Sequence, residues 1–202
     1  MLRNVEAISF DLWQTLILEN KQLGRSRSEL RIREINRVLE KDGHKFSESV
    51  LFNAYKGGAS ECSDIQSRGL DISFREKVRI FVDRIEQGLW DNLSDSTKSD
   101  VTISYDQSFF NWPPPIRIDA KNVLGALRDA GYLLAIVSNT GMTSGMTFRE
   151  YLKKLGINEY FHTMIFYHLY KKQIKRPNLH LHLNLLNEQN KLHQHLLKLC
   201  AL

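Results

Sequence analysis

The chain has 202 residues, of which 42% are hydrophobic and 25% charged, as in an ordinary soluble globular protein. The length fits one sizeable domain, or a core with a smaller lobe. No apolar run approaches the roughly 20 residues that span a bilayer, no signal-peptide pattern is visible, and the two cysteines have no metal-ligand spacing. We therefore expect a cytoplasmic protein with reduced thiols and no membrane contact.

The net charge of +5 comes from the C-terminal part of the sequence. Residues 162–202 carry six Lys or Arg and one acidic residue, whereas residues 1–161 carry 22 of each. The same 41 residues hold six of the seven histidines. Without interleaved aromatic side chains such a basic cluster is typical of a solvated face, so nucleic acid is not an expected partner.

The first predicted element is a short apolar strand, residues 5 to 10, that ends on Asp11, with Thr15 four residues later. Ligands of α/β sheets bind beyond the carboxyl ends of the strands, where a carboxylate can attack or coordinate them. An aspartate in this place also suits the N-cap of a following helix. Asp11 by itself does not decide between the two roles.

Residues from about 17 to 110 predict a small all-helical lobe. Ser26 or Ser28 is the expected N-cap of the first helix, and Gly43 lies past its end. Ser47 opens a second helix, which the pair Gly57-Gly58 is expected to end.

The third predicted helix begins after Ser73 and a fourth lies within residues 93–110. A stripe of apolar side chains follows Ser73 at helical spacing, which is typical of helix packing and seldom of a cofactor site. The stripe consists of Phe74, Val78, Phe81, Val82, Ile85 and Leu89.

A stiff joint at residues 112–115 (WPPP) separates this lobe from the second half of the chain. Asp119 is expected to cap a helix that Gly131 ends, and residues 132–137 (YLLAIV) predict a strand buried on both faces. The polar cluster Ser138-Asn139-Thr140-Gly141 follows. A helix over about 148–155, stopped by Gly156, and a strand over 161–166 complete the pattern.

This order of elements predicts an α/β fold: a Rossmann-like parallel sheet core, incomplete at the C-terminus, with an inserted all-helical cap lobe. The expected parts are a discontinuous core of residues 1–16 and 112–178, a cap of residues 17–111, and a basic His/Leu-rich tail of residues 179–202.

Two strand ends, one with Asp11 and Thr15 and one with Ser138, Asn139 and Thr140, could face each other across a crevice. A carboxylate nucleophile needs neighbours that hold an anionic substrate in line with it, and hydroxyl and amide groups suit that task. The second cluster alone fits a plain strand-to-helix turn equally well.

Together these segments resemble the haloacid dehalogenase-like (HAD) hydrolase superfamily. FDLWQTLI resembles the first motif, PPPIRIDAKNVLGALRDAGYLLAIVSNTG the stretch into and through the second, and YLKKLGINEYFHTMIF the segment before the third. The helical lobe is similar to the cap of the subgroup that includes dehalogenases and many small-molecule phosphatases.

The resemblance implies a role for each matching residue. Asp11 would be the nucleophile, Thr15 would support its loop, and residues 138–140 (Ser138, Asn139 and Thr140) would bind the anionic group of a small substrate. Lys175 is the nearest candidate for the catalytic lysine of the third motif, with the pair Lys171-Lys172 as competitors. A homodimer is a further expectation, since an incomplete sheet would leave an edge open.

The chain also departs from the family's pattern. Trp13 stands where the phosphatases have a second Asp as general acid, which is similar to the metal-free dehalogenase branch. The Trp13 main-chain carbonyl, with Asp11, could still hold Mg²⁺. The acidic fourth motif has no counterpart, since Glu188 is the one acid after Glu159.

The function implied is hydrolysis of a carbon–halogen bond or a phosphate ester through an aspartyl intermediate on Asp11. Mg²⁺ is the expected cofactor of a phosphatase, and a dehalogenase would need none. The alternative is a catalytically impaired remnant, from a frame slip between about codons 162 and 176, that serves at most as a binding protein.

Overall fold

The computed structural model describes residues 6–68, 70 and 72–167. Its helices and strands, in chain order, are β1 (Ala7–Phe10), α1 (Lys21–Lys41), α2 (Glu48–Ser67), α3 (Phe74–Ile85), α4 (Leu89–Asn92), α5 (Asp95–Gln107), α6 (Ala120–Asp129), β2 (Leu133–Asn139), α7 (Gly145–Lys154) and β3 (Thr163–Tyr167). Short 3-10 helices cover Ser108–Asn111 and Asn158–Tyr160. The predicted tail and the candidate lysines Lys171, Lys172 and Lys175 lie outside the described residues.

The three strands form a parallel sheet in the order β1-β2-β3, which confirms the predicted α/β class. Phe10 at the end of β1 pairs with Ile136, and β2 continues to Asn139. The carboxyl end of β2 therefore extends past that of β1, and Ser138 lies beside the residues that follow β1. This stagger positions the candidate site.

The first helix begins earlier than predicted. Asn20, and neither Ser26 nor Ser28, is the N-cap of α1, and its side chain accepts a hydrogen bond from the backbone N–H of Leu23 at 2.9 Å. Asn caps as well as Ser does, and the Ser28 hydroxyl donates to the Gly24 carbonyl at 2.9 Å inside the helix. The prediction of a serine cap was wrong because Asn20 already caps the helix six residues before Ser26.

The second helix does not end at Gly57-Gly58 but continues to Ser67. A Cβ on Gly58 would lie 3.3 Å from the Phe81 Cα, and one on Gly57 would lie 2.7 Å from the Arg84 side chain. The two glycines let α2 approach α3 closely, so they serve packing and do not terminate the helix. The third helix begins after its Ser73 cap, as predicted.

Two separate clusters of buried apolar side chains divide the described residues. We call α1 to α5 the helical lobe and the sheet with α6 and α7 the sheet lobe. The helical lobe is centred on residues such as Ile35, Leu39, Val78, Phe81 and Tyr105. The sheet lobe is centred on Leu12, Leu124, Leu134, Ile136, Phe148 and Leu152. The boundaries of the predicted cap and core remain a prediction.

The chain crosses between the lobes at two segments that pair with each other. Ile17 and Ile116 form an antiparallel bridge, the Leu18 N–H donates to the Pro115 carbonyl at 2.9 Å, and the Arg117 N–H donates to the Leu16 carbonyl at 2.8 Å. The crossings therefore lie side by side, as a paired connection between the lobes.

Arg27 of α1 joins the two crossings. Its buried guanidinium donates to the Trp112 carbonyl at 2.6 Å and forms an ion pair with Glu19. Burial, and then the nearby charge of Arg31, lowers the pKa of Arg27 to about 10. The guanidinium thus keeps its charge at pH 7. No helix of the described ranges is both long and apolar enough to cross a bilayer.

Candidate active site

Asp11 and Ser138 meet at the carboxyl ends of the neighbouring strands β1 and β2. The Ser138 hydroxyl donates to Asp11 Oδ1 at 2.7 Å. The backbone N–H of Leu12 donates to the same carboxylate oxygen at 2.9 Å and approaches Ser138 Oγ at 3.2 Å. Ser138 is fully buried and Asp11 is half-buried. The carboxylate is thus oriented by a hydroxyl and an amide.

Trp13 links the same two strand ends. Its indole Nε1–H donates to the Asn139 carbonyl at 2.9 Å, and its ring meets Phe148 edge to face, with the centroids 5.4 Å apart. The side chain at this position therefore acts as a brace between the strand ends and has no group that could exchange a proton with a substrate.

The predicted anion-binding residues occupy different environments. The Asn139 side-chain oxygen accepts from the Gly141 N–H at 2.7 Å, which closes a tight turn. Thr140 is fully buried, and within the described ranges its hydroxyl oxygen has no hydrogen-bond partner. The Thr140 carbonyl accepts from the Thr143 N–H at 3.2 Å. This turn begins directly beside the Asp11–Ser138 pair.

Thr15, four residues after Asp11, is exposed and, in the part of the chain that the structure describes, its hydroxyl has no hydrogen-bond partner. The residue belongs to a turn in which the Leu16 and Ile17 amides both donate to the Leu12 carbonyl at 3.0 Å. The loop after Asp11 is thus stabilised by its own backbone, and a role for the Thr15 hydroxyl remains a prediction.

The sequence reasoning missed Lys77, which is fully buried on α3. Its ammonium donates to the Gly141 carbonyl in the turn after Asn139. A signal was present, because Lys77 falls on the apolar stripe, three residues after Phe74 and four before Phe81. A lysine at such a position is almost never fully buried without partners.

The neighbouring thiol is held in its protonated form. Burial raises the pKa of Cys62 on α2, and the charge of Lys77 lowers it by a smaller amount. A buried thiol with a raised pKa is inert, so Cys62 is not a candidate nucleophile.

A magnesium site would use the Asp11 carboxylate and the Trp13 main-chain carbonyl. Mg²⁺ requires near-octahedral oxygen coordination, and the described residues contain no group of three or more acidic, His or Cys side chains suited to a metal. Mg²⁺ usually keeps several waters and is bound through one or two carboxylates together with substrate phosphates. Asp11 and the Trp13 carbonyl could therefore hold it in a phosphatase, whereas a dehalogenase would need no metal.

No family model and no curated protein matches this sequence, whereas solved structures do. One is a protein assigned by prediction as a phosphoglycolate phosphatase from Haemophilus somnus 129PT, with 17% identity and a TM-score of 0.44 over 91% of this chain and 72% of that one. Another is the L-2-haloacid dehalogenase of Xanthobacter autotrophicus with covalently bound chloropropionic acid, with 14% identity and a TM-score of 0.43 over 92% and 66%.

A third is a Bacillus subtilis protein assigned as a HAD-hydrolase and solved with magnesium, with 15% identity and a TM-score of 0.45 over 80% of this chain and 63% of that one. The chain is thus similar to HAD phosphatases and to L-2-haloacid dehalogenases. Because the TM-scores lie below 0.5, the assignment of chemistry rests on the residues of this chain.

Proposed function

We propose that the protein is a HAD-like hydrolase that cleaves the carbon–halogen bond of a small 2-haloacid through a covalent intermediate on Asp11. The observation that supports the proposal is the 2.7 Å hydrogen bond between Ser138 and Asp11 at adjacent strand ends. Such a bond orients the carboxylate for attack on a substrate carbon.

The choice of leaving group follows from Trp13. An alkoxide leaving a phosphate ester needs a proton, which a general acid supplies at a gain of typically 10²–10⁴-fold in rate. The indole N–H of Trp13 is bound to the Asn139 carbonyl and is not acidic. A halide is a very weak base and departs unprotonated. The side chain at position 13 therefore favours halide over alkoxide departure.

The reaction has two steps. One Asp11 oxygen attacks the carbon that bears the halogen, the carbon–halogen bond breaks, and the halide leaves with the bonding electron pair. The product is an ester between Asp11 and the acid. Water then attacks the carbonyl carbon of this ester, which releases the 2-hydroxyacid and one proton and restores the carboxylate. Ser138 and the Leu12 amide hold the carboxylate oxygen throughout.

Isotope labelling tests the intermediate. Turnover of 2-chloropropionate in H₂¹⁸O should place ¹⁸O in the peptide that contains Asp11, because water attacks the aspartyl ester. A single turnover with excess enzyme should give lactate that carries the unlabelled Asp11 oxygen. Label in the lactate and none in the peptide would mean direct attack by water and would refute the aspartyl intermediate.

Variants and a second substrate complete the test. Asp11→Asn should lower halide release by at least about 10³-fold, and Asp95→Asn, an exposed aspartate on α5, should leave it unchanged. Aryl phosphate hydrolysis is measured beside it, with and without Mg²⁺. Faster turnover of the phosphate than of the haloacid would show a phosphatase and overturn the assignment of the leaving group.

A further inference from the structure

The turn after Asn139 belongs to the sheet lobe but is bound by the helical lobe. Lys77 on α3 donates to the Gly141 carbonyl at its start. The next residue, Met142, packs against the apolar cluster of the helical lobe. The segment from Thr140 to Ser144, which we call the tethered turn, therefore has contacts with both lobes.

Asp106 near the end of α5 binds the other end of the tethered turn. Its Oδ1 accepts from the Ser144 N–H at 2.9 Å, and its Oδ2 accepts from the Ser144 hydroxyl at 2.6 Å. Ser144 in turn caps α7, since Ser144 Oγ accepts from the Thr147 N–H at 3.1 Å. A carboxylate at this place also interacts favourably with the dipole of α7. The attachment of the turn to the helical lobe thus extends to the start of α7.

Lys77 is fully buried, and its ammonium group is in contact with the turn beside the candidate site. Removing an ammonium group from water costs free energy that contacts inside the protein must offset. An apolar side chain of similar length would fill the same space at lower cost. A lysine at this position, in contact with a turn beside the Asp11–Ser138 pair, therefore indicates that the contact fixes the geometry of that turn.

We propose that Lys77 and Asp106 are positioning residues, which hold the tethered turn and, through it, the anion-binding groups of Asn139 and Thr140. A substrate would then be bound tightly only while the helical lobe is seated on the turn. The link to substrate binding rests on the proposed function, but the positioning of the turn can be measured without any turnover.

Amide hydrogen exchange of the whole protein tests the positioning. Lys77→Met and Asp106→Asn should each make the amides of residues 141–144 exchange about five to ten times faster. The matched controls are Lys56→Met and Asp100→Asn, which alter exposed residues of the same lobe. If exchange in the turn is the same in Lys77→Met as in Lys56→Met, the proposal is wrong. Methionine suits a buried site, so failure to fold is not expected to confuse the result.

Steady-state kinetics with 2-chloropropionate test the link to binding. Because Asp11 and Ser138 lie in the sheet lobe, Lys77→Met should raise KM about tenfold and change kcat less than about twofold. A fall in kcat with KM unchanged would contradict a positioning role. Absence of turnover in the unaltered protein would refute the proposed function, and the exchange measurement would still decide whether Lys77 positions the turn.

Discussion

The two lobes differ in the charged groups that they bury. The helical lobe buries three charged side chains, Arg27, Arg31 and Lys77, besides the uncharged Gln66 and Thr97. Among the described residues the buried polar side chains of the sheet lobe are all hydroxyls: Ser138, Thr140, Thr143, Ser144 and Thr147. These hydroxyls lie at the end of β2, in the turn after it and at the start of α7, whereas the buried charges lie on the helices α1 and α3.

This difference suggests separate roles for the two lobes. A hydroxyl can orient a carboxylate without placing a charge beside it, as Ser138 does for Asp11 at 2.7 Å. The buried cations bind main-chain carbonyls near the border, with Arg27 on Trp112 and Lys77 on Gly141. We infer that the sheet lobe holds the reacting groups. The buried charges of the helical lobe would then fix the orientation of the helical lobe relative to those groups.

The largest effect is expected from the aromatic core of the sheet lobe. Phe148 is fully buried and its ring contacts Phe109, Trp13 and Phe166, with centroid distances between 5.2 and 5.7 Å. Phe148→Ala should lower the free energy of unfolding by about 3–5 kcal/mol, as measured by urea denaturation. Met146→Ala on the same helix, at an 80% exposed side chain, should change it by less than about 0.5 kcal/mol. Equal effects would show that this cluster does not stabilise the sheet lobe.

The second largest effect is expected from the paired connection between the lobes. Arg27→Met removes the partner of a Glu19 carboxylate that is 23% exposed and leaves the Trp112 carbonyl without its donor. We expect a loss of about 3 kcal/mol in the free energy of unfolding. Arg25→Met on the same helix, whose side chain is 80% exposed, is the control and should be nearly neutral. If both variants behave alike, the buried cation does not hold the crossings together.

Removal of the Ser138 hydroxyl tests whether the proposed reaction takes place in the sheet lobe. Ser138→Ala removes the bond to Asp11 Oδ1 and should lower kcat/KM for halide release by about 10- to 100-fold, as expected for one hydrogen bond to a charged group. Ser60→Ala, at an exposed position of α2, serves as the matched control. Unchanged kinetics in Ser138→Ala would show that this hydroxyl has no part in the reaction.

The smallest effect is expected on the pH dependence of the free energy of unfolding, through a tyrosine inside the helical lobe. Burial, and then Tyr55, raises the pKa of Tyr105 well above its usual value of 10.0. The folded protein therefore keeps this phenol protonated while the unfolded chain ionises it above about pH 10, so the free energy of unfolding should fall as pH rises.

Tyr105→Phe removes this contribution and keeps the ring contacts with Phe74 and Phe81. Between pH 9 and 10.5 the variant should lose about 1 kcal/mol less stability than the unaltered protein, by urea denaturation at each pH. Parallel pH curves would mean that Tyr105 is not protected from ionisation in the fold.

Much of the fold could be predicted because its signals are local. Apolar runs gave β1 and β2 to within two residues, and Ser73 was recognised as the cap of α3. The start of α1 and the course of α2 were missed, since Asn20 competes with two serines and since Gly57-Gly58 is explained only by its contact with α3. Lys175, the cytoplasmic location and a homodimer stay predictions.

The sequence by itself determined that Asp11 follows one apolar run and Ser138 lies at the end of another, because apolar runs are properties of neighbouring residues. Parallel pairing then brings their ends to one edge of a sheet. The tertiary structure alone decided that Lys77 is buried against Gly141, 64 positions away, and that Trp13 braces Asn139. Burial and hydrogen bonding across such separations depend on how helices and strands pack, which no local pattern specifies.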